Sequence, residues 1–119
     1  HTFGHAIETA TGYGKLLHGE TVAMGIVMAA DLSRRLGWLD SNDAIRIRGV
    51  LEENFGLPVV PPSEITLKRY FELMFSDKKV EHGKIRFILL KGIGQAVIKG
   101  DVENDLIEMT LGAGAELCT

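Results

Sequence analysis

The stretch VAMGIVMAA, residues 22–30, leaves the fewest choices for the fold of this chain. Its nine residues are small or apolar on every side of a helix, and a helix that is apolar all round is buried by other elements. The pattern starts at Gly19 or Glu20 and ends at Gly37, a typical helix stop. A membrane span needs about 20 apolar residues. The stretch therefore predicts a central core helix and no membrane span.

Further segments predict helices that pack around this core. A first helix is expected over residues 1–11, HTFGHAIETAT, where two glycines follow as breakers. Another begins after an N-cap at Asp40 or Ser41 and ends at Gly56 and Pro58. Its apolar stripe at helical spacing consists of Ile47, Val50, Leu51 and Phe55.

The last two predicted helices are shorter. One is expected over about residues 66–75 and presents one apolar face, and the other over about residues 103–111. The small residues GAGA that follow the second of these predict a frayed C-terminal end. The apolar face of the earlier helix consists of Leu67, Tyr70, Phe71 and Met74.

After Gly83 the pattern changes from helical to strand-like. The β-rich runs KIRFILL and QAVIK are joined by KGIG, whose glycines can adopt positive φ in a tight turn. This predicts an antiparallel hairpin over about residues 84–99, which must pack on helices because an isolated hairpin is marginally stable. With 119 residues and 45% hydrophobic content, residues 1–119 can form one domain. The expected fold is mainly α with one small antiparallel hairpin.

Charge and cysteine content narrow the possible functions. A net charge of −3 and a pI near 5.8 argue against non-specific binding to nucleic acid, which needs a basic face. The single cysteine, Cys118, cannot form an internal disulfide, and this favours a reducing cytoplasm.

Three of the four histidines lie in the first twenty residues. His1 and His5 are four residues apart and so share one helix face, a spacing that suits a divalent cation but also suits exposed polar side chains. The zinc-protease pattern needs a glutamate directly after the first histidine, where this chain has Thr2. His18 lies at the junction of a loop and the core helix, from which it could fold back toward the first helix.

Two blocks of the sequence resemble one enzyme family. HTFGHAIETATGYGKLLHGETVAMGIVMA resembles the metal-binding stretch of 3-dehydroquinate synthase, and DKKVEHGKIRFILLKGIGQAVI resembles a second block of that family. The resemblance implies the C-terminal domain of an enzyme that converts 3-deoxy-arabino-heptulosonate 7-phosphate to 3-dehydroquinate and phosphate. It implies NAD and a divalent metal, zinc or cobalt, as cofactors. The family's N-terminal NAD-binding domain is expected to be absent from this chain, and the full-length enzyme to be a homodimer.

The resemblance also implies roles for individual residues. His1 and His18 match two of three metal ligands, the third being a glutamate of the N-terminal domain. His5 matches the histidine that contacts substrate and helps to move protons as phosphate leaves. Lys78 and Lys79 match a basic pair, at least one of which contacts an anionic group of the substrate.

Two alternatives stay open at the level of sequence. Other sugar phosphate cyclases, of the aminocyclitol or valiolone type, share the two-histidine metal pattern. The chain could also act only as a non-catalytic helical module that binds a partner protein. Near the histidines, Glu8 could orient the first helix or its histidine, and Glu20 could cap the core helix.

Overall fold

The computed structural model describes residues 1–12, 14–76 and 84–119. Helices surround one central helix, and a hairpin packs against it, which confirms the expected fold class. The helices are α1 (Thr2–Thr11), α2 (His18–Arg35), α3 (Ser41–Gly49), α4 (Leu67–Ser76) and α5 (Asn104–Leu111), and the strands are β1 (Phe87–Gly92) and β2 (Gln95–Lys99).

Helix α2 is the core element that the apolar run predicts. It packs against α1, α3, α5 and β1, and its inner face is almost fully excluded from solvent through Met24, Val27, Met28 and Leu32. The helix ends before Gly37, whose φ of 79° is a conformation that favours glycine. Within the described residues, no helix combines the length and the apolar character needed to cross a membrane.

The start of α2 differs by one residue from the expected one. The helix begins at His18, since the Glu20 side chain accepts a hydrogen bond of 2.8 Å from the backbone N–H of Leu17. This contact satisfies one of the amide groups that a helix start leaves without an intrahelical partner. The capping role expected of Glu20 is confirmed, and it fixes His18 as the first helical residue.

The hairpin has the expected position and a short turn. Strands β1 and β2 pair antiparallel from Phe87 opposite Lys99 to Gly92 opposite Gln95. Of the two turn glycines, Gly94 has positive φ, 88°, and Gly92 does not. Side chains alternate along β1, so Phe87 and Leu89 are buried against the helices while the residue between them is exposed.

The third helix was expected to continue to Gly56 with Phe55 on its apolar stripe; the chain is helical to Asn54, but the prediction for Phe55 is wrong. After α3 the chain forms a π-helical turn, Val50–Asn54, closed by a hydrogen bond of 3.2 Å from the Phe55 N–H to the Val50 carbonyl. A π turn holds one more residue than an α turn and rotates the following side chains off the buried stripe. Phe55 is 71% exposed and Val50 is 40% exposed, so neither packs in the core as the apolar stripe predicts.

The expected frayed C-terminus is also wrong. A short 3₁₀ turn, Gly114–Glu116, follows α5, and Leu117 and Cys118 are buried. The Arg48 guanidinium donates hydrogen bonds of 2.7 Å to the carbonyl oxygens of Ala115 and Leu117. These contacts hold the last residues against the core, because charge-assisted hydrogen bonds are stronger than neutral ones.

Candidate functional site

Two glycines bring the histidine-bearing helices into backbone contact. A Cβ atom on Gly4 would lie 3.0 Å from the Thr21 carbonyl oxygen, and one on Gly25 would lie 3.0 Å from the Gly4 nitrogen. Only residues without a side chain permit so close an approach. The sequence analysis did not single out these glycines, although small residues facing each other on two helices are a recognisable signal. Their contact places the exposed face of α1 beside the start of α2.

The three N-terminal histidines meet on this exposed face. The ring centroids of His1 and His5 are 5.3 Å apart with an interplanar angle of 25°, and those of His1 and His18 are 6.4 Å apart at 7°. All three residues are exposed, which confirms that His1 and His5 share one helix face open to solvent. The structure therefore brings together three residues expected at a site, with His1 between the other two.

A carboxylate from α1 fixes the ring of His18. The Glu8 Oε2 atom lies 2.9 Å from His18 Nδ1. This hydrogen bond, together with the positive charges of His18 and His5 in their protonated forms, lowers the pKa of the Glu8 carboxyl below its usual value. The Glu8 side chain is 23% exposed and that of His18 is 65% exposed, so the pair lies at the rim of the site.

The donor set of the site fits part of a metal centre. Imidazole nitrogens are common ligands of zinc and cobalt, and catalytic zinc sites use three protein ligands with one open position. Among the described residues, no group of three or more histidine, cysteine, aspartate or glutamate side chains is arranged to hold a metal ion. Two imidazoles of this cluster could serve as ligands of such a centre, with a third ligand from elsewhere, and the choice of His1 and His18 as that pair rests on the family resemblance.

An apolar groove adjoins the histidines. It has a volume of about 270 Å³ and runs from His1 across α2 to β1. Ile26 and Ile88 on its wall are 42% and 51% exposed. The remaining lining residues are small or apolar: Gly4, Val22, Gly25, Ala29 and Leu90. Sequence reasoning missed this groove, because Ile26 belongs to the run that predicts a wholly buried helix.

The remaining predicted site residues cannot be compared with the structure. Lys78 and Lys79, expected to contact an anionic group of the substrate, lie outside the described residues.

Comparison with known proteins identifies the family. Residues 1–80 match the family described as 3-dehydroquinate synthase C-terminal. The chain belongs to this family. It is 51% identical over 114 residues to a 3-dehydroquinate synthase of Pseudomonas fluorescens. The aligned region covers 95% of this chain and 31% of the relative. It is 53% identical over 112 residues to a 3-dehydroquinate synthase of Pseudomonas aeruginosa, covering 93% of the chain and 30% of the relative.

Solved structures give the same assignment of fold. A 2-epi-5-epi-valiolone synthase from Streptomyces hygroscopicus, with NAD⁺ and Zn²⁺ bound, superposes with a TM-score of 0.79 at 30% identity, covering 96% of this chain and 32% of that protein. A 2-deoxy-scyllo-inosose synthase complexed with carbaglucose-6-phosphate, NAD⁺ and Co²⁺ superposes with a TM-score of 0.78 at 27% identity over the same shares of the two chains. The present chain thus spans about a third of the length of the relatives that it matches.

Proposed function

We propose that the full-length protein containing this chain is a 3-dehydroquinate synthase. It would convert 3-deoxy-arabino-heptulosonate 7-phosphate to 3-dehydroquinate and phosphate. The observation that carries the proposal is the cluster of His1, His5 and His18 on one exposed face, in a chain about half identical to enzymes of that name. The chain would contribute the metal- and substrate-binding domain, and NAD would be held mainly by an N-terminal domain outside these residues.

His1 and His18 are proposed to hold a divalent metal, zinc or cobalt, together with a carboxylate from outside this chain. Two solved relatives carry NAD⁺ with Zn²⁺ or Co²⁺, which supports this cofactor pair. When bound, the metal would supply Lewis-acid polarisation of a substrate hydroxyl, and NAD would supply a reversible hydride acceptor. The exposed rings leave the cluster accessible to a small substrate from solvent.

His5 is proposed to move protons and not to bind the metal. Its imidazole lies one helical turn from His1 on the same exposed face, so it would face the substrate that the two ligands help to orient. An imidazole can accept and donate protons near neutral pH, which elimination of phosphate requires. Lys78 and Lys79 are proposed to contact an anionic group of the substrate.

Variants of two histidines separate the proposed roles. In the full-length protein, His18→Ala should lose bound metal and phosphate release together. His5→Ala should keep its metal and lose roughly 10²–10⁴-fold in kcat, the usual contribution of a general acid or base. Metal content by mass spectrometry and phosphate release from the heptulosonate phosphate are the two measurements. Full activity of either variant contradicts the proposal.

Substrate comparison tests the assignment against the related cyclases. Both solved relatives belong to other sugar phosphate cyclases, but at 30% and 27% identity they are more distant than the 3-dehydroquinate synthases at 51% and 53%. The full-length protein should therefore release phosphate from the heptulosonate phosphate and not from sugar phosphates that lack its carboxylate, such as a hexose 6-phosphate or a heptulose 7-phosphate. The reverse preference would assign it to the other cyclases.

A further inference from the structure

The contact between Glu8 and His18 joins the two helices of the site at a single ring nitrogen. Glu8 lies on α1 and His18 is the first residue of α2, and their side chains meet at 2.9 Å through Nδ1. The hydroxyl of Thr21 donates at 2.8 Å to the His18 carbonyl and lies 3.5 Å from the same Glu8 oxygen. The shorter contact takes the single hydroxyl proton, so the His18 ring is the principal donor to Glu8.

The chemistry of the two groups fixes which nitrogen carries the proton. An ionised carboxylate can only accept hydrogen bonds, so Nδ1 of His18 must donate. In a neutral imidazole the other nitrogen, Nε2, then carries the lone pair. Histidines that bind metals ordinarily donate their second ring N–H to a carboxylate or carbonyl, which sets both tautomer and ring orientation.

We propose that Glu8 is a positioning residue that holds His18 as the Nδ1–H tautomer, with Nε2 available to the metal beside His1. The proposal rests on the proposed function, in which His18 is a metal ligand. Glu8 would touch neither metal nor substrate and would act through His18 alone. Loss of its carboxylate should weaken metal binding roughly 10- to 100-fold, the usual effect of removing such a partner.

A second glutamate of the same region provides a matched control. Glu20 also makes one hydrogen bond near His18, but its partner is the backbone N–H of Leu17 at the start of α2. Glu20→Ala therefore disturbs the first turn of α2 without removing the carboxylate from His18. A purely structural effect at this helix start would appear in both Glu8→Ala and Glu20→Ala.

The tautomer can be read without metal or turnover. In the metal-free full-length protein with ¹⁵N-labelled histidine rings, the NMR signals of His18 are assigned by their loss in His18→Ala. At a pH where the ring is neutral, Nδ1 should carry the proton in the unsubstituted protein and in Glu20→Ala. Glu8→Gln keeps an acceptor oxygen and should retain this tautomer, whereas Glu8→Ala should lose it. An Nε2–H tautomer in the unsubstituted protein, or an unchanged tautomer in Glu8→Ala, overturns the proposal.

Cobalt affinity then separates this inference from the proposed function. Titration with Co²⁺, followed by its visible absorption, should give weaker binding for Glu8→Ala than for Glu20→Ala, with Glu8→Gln between the unsubstituted protein and Glu8→Ala. If His18→Ala weakens binding and Glu8→Ala does not, the role of Glu8 is wrong while the metal site stands. If His18→Ala itself has no effect, the proposed metal site is wrong.

Discussion

Asp31, near the C-terminal end of α2, accepts a hydrogen bond of 3.0 Å from the backbone N–H of Cys118, 87 residues further along the chain. Its carboxylate is fully buried and also accepts from the Thr110 hydroxyl at 2.8 Å. Two arginines of α2 complete its partners, Arg34 at 3.1 Å and Arg35 at 2.7 Å. One buried charge thereby joins the core helix, α5 and the C-terminal residues.

Asp31→Asn should be strongly destabilising. The asparagine side chain would place N–H groups against the N–H and O–H donors that now bond to the carboxylate. It would also leave both arginines without their counter-charge. Breaking a buried ion pair on one side costs about 3–5 kcal/mol, and we expect a loss of that size in the free energy of unfolding. Urea denaturation followed by circular dichroism measures it.

A matched control is available in an exposed pair. Asp101 lies 2.9 Å from the Lys99 amine but is 65% exposed. Asp101→Asn should leave the urea midpoint almost unchanged, since exposed pairs contribute little. Equal effects of the two substitutions would show that Asp31 does not connect the three segments as its contacts indicate.

The carboxylate of Asp31 should also make the free energy of unfolding depend on pH in the acid range. Burial raises the pKa of Asp31, but hydrogen bonds from Cys118, Arg35, Thr110 and Arg34 outweigh it and hold the pKa below its usual 3.8. A group whose pKa is lower in the folded state stabilises it fully above the unfolded pKa and loses that contribution as pH falls through the folded pKa.

Stability should therefore fall as the solution is acidified below about pH 4, and Asp31→Asn should show a smaller fall. Urea midpoints of both proteins at a series of pH values from neutral to about pH 2.5 give the difference. Parallel curves for the two proteins would contradict the prediction. Other carboxylates contribute equally to both curves, so the difference isolates Asp31.

The local elements of the fold follow from the sequence, while the long-range contacts do not. Helical periodicity and glycine stops predict α2 and the hairpin to within about three residues, because these signals act between near neighbours. The same apolar spacing fits an α turn and a π turn, so the turn at Val50–Asn54 was missed. Asp31 looks like one more polar residue of an amphipathic helix, and nothing local indicates that Cys118 will cover it.

The candidate site likewise combines features that local sequence predicts with contacts that it does not. The four-residue spacing alone groups His1 with His5, and the structure confirms that they lie on one face. The approach of His18 and its contact with Glu8 depend on how closely α1 crosses α2, which side-chain periodicity does not determine. Family resemblance, not spacing, pointed to His18 as the partner of His1.

The helix crossing can be tested at Gly25. An added methyl group would meet backbone atoms of Gly4 at 3.0 and 3.2 Å, and backbone atoms cannot rotate away. Such overpacking costs about 1–3 kcal/mol, which exceeds the roughly 0.5–1 kcal/mol that alanine gains over glycine in a helix. Gly25→Ala should therefore lower stability and, by moving His1 away from His18, weaken metal binding.

Gly49 is the control for this substitution. It ends α3 with helical backbone angles, φ −60° and ψ −41°, and a Cβ there meets nothing within 4 Å. Gly49→Ala should raise the free energy of unfolding by about 0.5–1 kcal/mol and leave cobalt affinity unchanged. If Gly25→Ala stabilises the protein as Gly49→Ala does, the helices are not as close as the structure has them.

The 119-residue chain by itself should bind zinc weakly and release no phosphate. Its described residues offer the histidine pair but no group of three ligands arranged for a metal, and catalytic zinc sites need three protein ligands.

The 119-residue chain by itself should also not bind NAD. In the described ranges, no strand is followed by a glycine-rich turn that opens a helix, as dinucleotide sites require. Calorimetric titration of the chain with zinc and with NAD tests both statements. Sub-micromolar zinc binding that His18→Ala abolishes, or any phosphate release from the heptulosonate phosphate, would show that this chain alone contains the complete site.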